Sequence, residues 1–133
     1  MSGYMLDTKV ASHAIRGDRP EITSRLASLP IGEIAVSAIT EAELLYGLAK
    51  RNHPPRLAER VRQFLLRADV IAWDSAAART YGDLRARCEA IGTSLSPLDM
   101  LIAAHAIAAD AVLVTRDKAF ARVPAPLSVE DWD

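Results

Sequence analysis

Short apolar runs alternate along the chain with longer stretches in which apolar residues recur every three or four positions. Residues 4–6, 33–37, 70–73 and 111–114 are such runs, closed by polar residues, the pattern of strands buried on both faces. Residues 127–129 predict a fifth strand at an edge. Helical periodicity fills the intervals: 8 to about 16, 21–29, from Thr40 onward with Leu44, Leu45 and Leu48 inward, from Pro54-Pro55 to about 68, 75–91, and 97–109. Gly17 to Pro20 and Gly92 supply the breaks. Strands alternating with longer helices predict an α/β sandwich of three layers, its central sheet mostly parallel and flanked by helices. No repeat, low-complexity tract or linker divides the chain, so 1–133 reads as one domain.

Composition narrows the function classes. Sixteen Lys and Arg balance 17 Asp and Glu, which excludes a polybasic arm or an acidic disordered tail as a description of the whole chain. The single cysteine, Cys88, cannot form an internal disulfide and reads as a small buried hydrophobe. His105 and Asp110 interrupt the longest apolar stretch, and a membrane span needs about 20 nearly uninterrupted apolar residues. Asp7 falls where a signal peptide would be apolar. A cytoplasmic protein without a membrane segment is the expectation.

The chemistry lies in the acids. In a parallel α/β sheet, ligands bind where strand carboxyl ends meet the N-termini of the following helices. Asp7 ends the first strand, Asp117 follows the fourth, and Glu43 and Asp99 fall in what periodicity makes the first turn of a helix. Singly, each has a structural explanation: Thr40 with Glu43 and Ser96 with Asp99 have capping-box spacing or close to it, and Asp7 and Asp117 suit turns. Four such acids need not choose one edge. Two carboxylates about 4 Å apart repel by roughly 4 kcal/mol at an effective dielectric of 20, so a cluster calls for a cation. All-oxygen ligands select a hard ion, Mg²⁺ or else Mn²⁺, and the matching chemistry is phosphodiester hydrolysis. The three histidines have no zinc spacing with Cys88, His105 reads as a core residue, and no GxSxG, P-loop or GxGxxG is present.

Between Lys50 and Arg67 stand six basic residues and one acid, Glu59. Arg56, Arg60, Gln63 and Arg67 follow helical spacing as a basic stripe, suited to an RNA backbone or an acidic protein tail and equally to a solvated helix face. Seven aromatics in the whole chain argue against a base-stacking platform. Apolar positions around Ile15 and from Leu45 to Leu48, Tyr46 among them, are core residues or a surface for a partner helix.

The segments YMLDT, SAITEAELLYGLAKR, IGTSLSPLDMLIAAHAIAADAVLVTRDKAF and VEDW together resemble the PIN-domain family, and within it the VapC-type ribonuclease toxins of toxin–antitoxin pairs. The resemblance spans nearly the whole chain. It implies a sheet of order 3-2-1-4-5 and an Mg²⁺-dependent endoribonuclease whose catalytic acids are Asp7, Glu43, Asp99 and Asp117. Asp7, Asp99 and Asp117 would bind the metal, and Glu43 would bind it or orient the attacking water. It further implies RNA such as tRNA as substrate, a homodimer, and neutralisation by a VapB-type antitoxin. Lys9 stands where the family usually has Asn, and Arg116 where it often has Asn. Thr115, Arg116, Lys9, Arg56 and Arg60 are the candidate substrate contacts. Lys9 also motivates the alternative of a catalytically weak module that acts by binding antitoxin or RNA. A phosphatase or receiver-like domain ranks last, because Lys9 occupies the position of the paired acid those folds use.

Overall fold

The structure, a computed structural model, describes residues 3–133. Five strands form: β1 (Tyr4–Leu6), β2 (Ile34–Ser37), β3 (Asp69–Ile71), β4 (Val112–Val114) and β5 (Val129–Glu130). The helices are α1 (Thr8–Arg16), α2 (Pro20–Ser28), α3 (Ala38–Ala49), α4 (Pro55–Arg67), α5 (Ser75–Ala90) and α6 (Pro97–Ala108), with a 3₁₀ turn at Lys118–Arg122. All strand pairs are parallel and the order is β3-β2-β1-β4-β5, as the resemblance implies. Tyr4 lies opposite Ile34 on one side and Val112 on the other, so β1 is the centre of the sheet.

Strand periodicity of two assigns each side chain to a layer. Met5 and Leu113 face α5 and α6 in one core with Leu84, Cys88, Ile102 and Phe120. Leu6, Val36 and Val114 face the opposite way, into a core with Val10, Ile15, Ile22, Leu44, Leu48 and Val61. Met5, Leu6 and Leu113 are wholly buried, each contributing roughly 1.5–3 kcal/mol relative to an exposed side chain. The chain leaves β1 toward β2 and β3, then returns to its other side as β4. That reversal opens a crevice outside the carboxyl ends of β1 and β4. Among the described residues no helix is long and apolar enough to cross a membrane.

His105 is a core residue, 2% exposed, as its apolar helix suggests. Its Nδ1 lies 2.7 Å from Ser37 Oγ, which in turn accepts the Ile39 N–H, while the ring also bonds the Ala72 backbone. This network assigns a neutral ring that accepts the Ser37 proton. Burial holds its pKa below the ordinary 6.5, against the opposing pull of Asp74 and the Ala72 bond. The unfolded chain therefore takes up this proton first as pH falls. Stability should be intact above about pH 6.5 and decline below it, by at most about 1.4 kcal/mol per pH unit from this group. Urea midpoints at pH 7.5 and 5.5 test it: His105→Gln should show a shallower decline than the wild type, and an equal decline would exclude His105 as the source.

Four expectations need correction. Helix α3 starts at Ala38, capped by Ser37, whose hydroxyl accepts the Ile39 N–H at 3.0 Å. Thr40 is thus a buried interior residue rather than the cap, and Glu43 lies beyond the first turn. Leu45 is 46% exposed, because the helix turns Leu44 and Leu48 inward instead. Trp73 lies beyond β3, with its indole N–H donated to the Leu101 carbonyl at 3.0 Å. The last strand begins at Val129, where Leu113 can pair it, rather than at Leu127.

Candidate active site

Asp7 follows the last residue of β1 and is 5% exposed. Its backbone N–H is donated to the Val114 carbonyl at 3.0 Å, extending the β1–β4 pairing, and its Oδ1 accepts the Val10 N–H at 2.8 Å as the N-cap of α1. Burial raises its pKa above the usual carboxylate value. Hydrogen bonds from Thr115 and Val10 pull it back, and the charges of Asp99 and Asp117 push it further up. The three aspartates, from β1, the start of α6 and the end of β4, therefore share one electrostatic field.

Asp117 extends β4. Its N–H is donated to Thr115 Oγ1 at 3.0 Å, and its Oδ1 accepts the Ala119 N–H at 2.9 Å, capping the 3₁₀ turn. Asp99 is half-buried in the first turn of α6, where Ser96 accepts its N–H at 3.4 Å and Pro97 begins the helix. That turn is also the positive end of the α6 dipole, which favours an anion there.

Glu43 reaches the same edge by another route. Its Oε1 accepts the Thr8 hydroxyl proton at 2.5 Å, and Thr8 Oγ1 lies 3.1 Å from Thr40 Oγ1. Glu43 is held by Thr8, the residue that follows Asp7 at the start of α1. Sequence reasoning missed Thr8 and Thr40 as site residues. Thr8 adjoins Asp7 in sequence, but a hydroxyl pair 32 positions apart leaves no local signal.

The predicted substrate contacts divide. Thr115 is buried and serves Asp7 and Asp117. Arg116 is engaged with protein groups: one guanidinium nitrogen meets Asp133 Oδ2 at 2.6 Å and the other lies 3.4 Å from His13 Nε2. Among the described residues, its buried Nε has no hydrogen-bond partner. Lys9 is exposed in the first turn of α1. Arg56 and Arg60 are exposed on α4, where Arg60 reaches the Arg16 carbonyl at 3.5 Å. A groove of about 770 Å³ beside Arg60 is lined by Ile15, Leu26, Ile31, Phe64 and Arg67, and Ile31 is 88% exposed.

The donor chemistry fits a hard divalent cation: carboxylate oxygens only, one of them buried and raised by its neighbours' charge. Among the described residues no three His, Cys, Asp or Glu stand close enough to form a ready-made cage. Mg²⁺ does not require one, since it commonly binds through one or two carboxylates and keeps several waters.

The PIN domain model matches residues 4–126. Ribonuclease VapC2 of Rickettsia felis is 37% identical over 132 residues, covering 98% of each chain. The tRNA(fMet)-specific endonuclease VapC of Shigella flexneri is 34% identical over 133 residues, covering 99% of each. Among solved structures, VapBC2 from Rickettsia felis bound to a DNA fragment from its promoter superposes with a TM-score of 0.90 at 36% identity, covering 100% of both chains.

Proposed function

Because the chain belongs to the PIN domain family, we propose that it is a divalent-metal-dependent endoribonuclease toxin, held in check by a VapB-type antitoxin. The observation that carries this reading is the raised, buried Asp7 carboxylate in the field of Asp99 and Asp117. Asp7, Asp99 and Asp117 would hold the ion, Mg²⁺ or Mn²⁺. When bound, the ion stabilises charge on the phosphoryl group during in-line displacement and lowers the pKa of water.

The chain's own residues supply the rest. Val10 N–H and Thr115 fix the Asp7 carboxylate, so its aim is set before substrate arrives. Thr8 fixes Glu43 through Oε1, leaving Oε2 to accept a proton from the attacking water. Lys9, exposed one residue beyond Thr8, is a phosphate contact at the rim. Arg116 orders the Thr115–Asp117 segment through Asp133 and His13.

The substrate is proposed to be tRNA, on the strength of relatives named as tRNA(fMet)-specific endonucleases that match over the full chain. Purified initiator tRNA, elongator methionine tRNA and a DNA of the same sequence, each incubated with protein and Mg²⁺, test the choice. Discrete cleavage of initiator tRNA alone is expected. Equal cutting of both tRNAs would contradict the specificity, and cutting of the DNA would contradict the substrate class.

A further inference from the structure

A second groove begins at Thr8 and Glu43, beside the proposed site. About 210 Å³ in volume, it runs between α1 and α3, with Leu44, Leu48, Leu57 and Val61 as its floor. On the α1 wall, Thr8, Ser12 and Arg16 repeat every four residues; on the α3 side, Glu43 and Gly47 lead to Lys50 and Arg51. The hydrogen bond from Thr8 to Glu43 closes the catalytic end. At Gly47 a Cβ would meet nothing within 4 Å, so the middle of the cleft is open.

The far end is cationic. Among the described residues, neither Lys50 nor Arg51 pairs with a carboxylate, whereas Arg16 is partly neutralised by Asp18 at 3.1 Å. Lys50 places its ammonium over the Tyr46 ring at 5.2 Å. The helix C-terminus favours cations by itself, but that does not explain an open channel joining two unpaired charges to Glu43. At 1.5 Å per residue, Lys50 and Arg51 stand about 10–12 Å along α3 from Glu43. The cleft's small volume, about 210 Å³, suits a single extended strand rather than a helix about 10–12 Å across.

We propose that this cleft carries the RNA strand away from the bond being cut, with Lys50 and Arg51 gripping a phosphate a nucleotide or two distant and Gly47 leaving room for the backbone. The proposal rests on the ribonuclease reading and adds the strand's path and its phosphate contacts. It differs from the α4 stripe of Arg56 and Arg60, since Arg60 borders the other groove and Arg56 neither.

Binding and cleavage are measured separately. Fluorescence anisotropy with labelled tRNA uses Asp99→Asn as a background that does not cut. There, Lys50→Ala with Arg51→Ala should weaken binding at least tenfold and make the salt dependence shallower by about 0.7 in log–log slope, the amount for one single-strand phosphate contact. Gly47→Leu should weaken binding as much without changing charge, and Arg79→Ala, on exposed α5, should leave it unchanged. In the cutting protein the double variant should raise KM at unchanged kcat. Affinity of the double variant equal to that of Arg79→Ala would overturn the proposal even if the wild type cleaves. A wild type that binds tRNA through these residues yet cuts no RNA would keep the cleft and contradict the nuclease.

Discussion

Asp7→Asn should abolish metal-dependent cleavage and raise thermal stability at once. The loss follows from the ion's share of catalysis, several kcal/mol, which at 1.36 kcal/mol per tenfold amounts to about a thousandfold or more. The gain follows from the same burial. Asp7 is 5% exposed, and its pKa is raised chiefly by burial and further by Asp99 and Asp117, so the fold favours the uncharged form. At neutral pH the charged carboxylate thus works against folding. Asn mimics the uncharged form and keeps an oxygen for the Val10 N–H, so the α1 cap survives. Each 1 kcal/mol of such relief would raise the melting midpoint of a domain this size by roughly 3–6 °C. Mg²⁺ should raise the midpoint of the wild type and leave the variant's unchanged, because the variant lacks the proposed Asp7 ligand and an ion bound only to the native state stabilises it. A variant that melts below the wild type would show that Asp7 is a structural acid, and retained cleavage would remove it from the site.

Ile31→Asp combined with Arg67→Glu should release the protein from its antitoxin while leaving RNA cleavage intact. Both residues line the 770 Å³ groove between α1, α2 and α4, whose wall of Ala14, Ile15, Leu26 and Phe64 is apolar and whose rim carries Arg60 and Arg67. An exposed apolar residue with a charged rim suits an amphipathic partner segment. Loss of a central contact of this kind costs at least about 2 kcal/mol, or roughly thirtyfold in Kd. Ile31 is almost fully exposed, so its replacement should not disturb the core. Titration of antitoxin into the active variant, followed by residual tRNA cleavage, tests this directly. Inhibition at wild-type antitoxin concentrations would place the partner elsewhere.

Local signals carried most of the fold. Met5, Val36, Leu113 and their neighbours form apolar runs because both faces of this sheet are covered, and runs of that kind need no tertiary information to be seen. Strand order is different: which runs pair depends on crossover connections, and here it came from the resemblance to a family. That Asp7, Asp99 and Asp117 come to one edge was legible, because strand ends and helix starts share that edge of a parallel sheet. For Glu43 the pattern misleads: reading the helix from Thr40 puts it in the first turn, whereas the helix starts at Ala38 after the Ser37 cap, and Glu43 is held by Thr8, 35 positions away. The engagement of Arg116 left no local trace, since its partner Asp133 is distant in sequence and its neighbourhood, Thr115-Arg116-Asp117, suggests a free phosphate contact. The basic residues of 50–67 were equally visible; which of them border an open cleft depends on how α1 packs against α3 and α4.

If acids from distant segments act as one metal site for cutting RNA, antitoxin-free protein should cleave total tRNA only when the ion is present. The decisive assay compares cleavage with and without Mg²⁺ or Mn²⁺, beside Asp99→Asn. Discrete fragments that require both the metal and Asp99 are predicted. Fragments that persist with chelator present, or equal cutting by Asp99→Asn, would contradict the shared metal site.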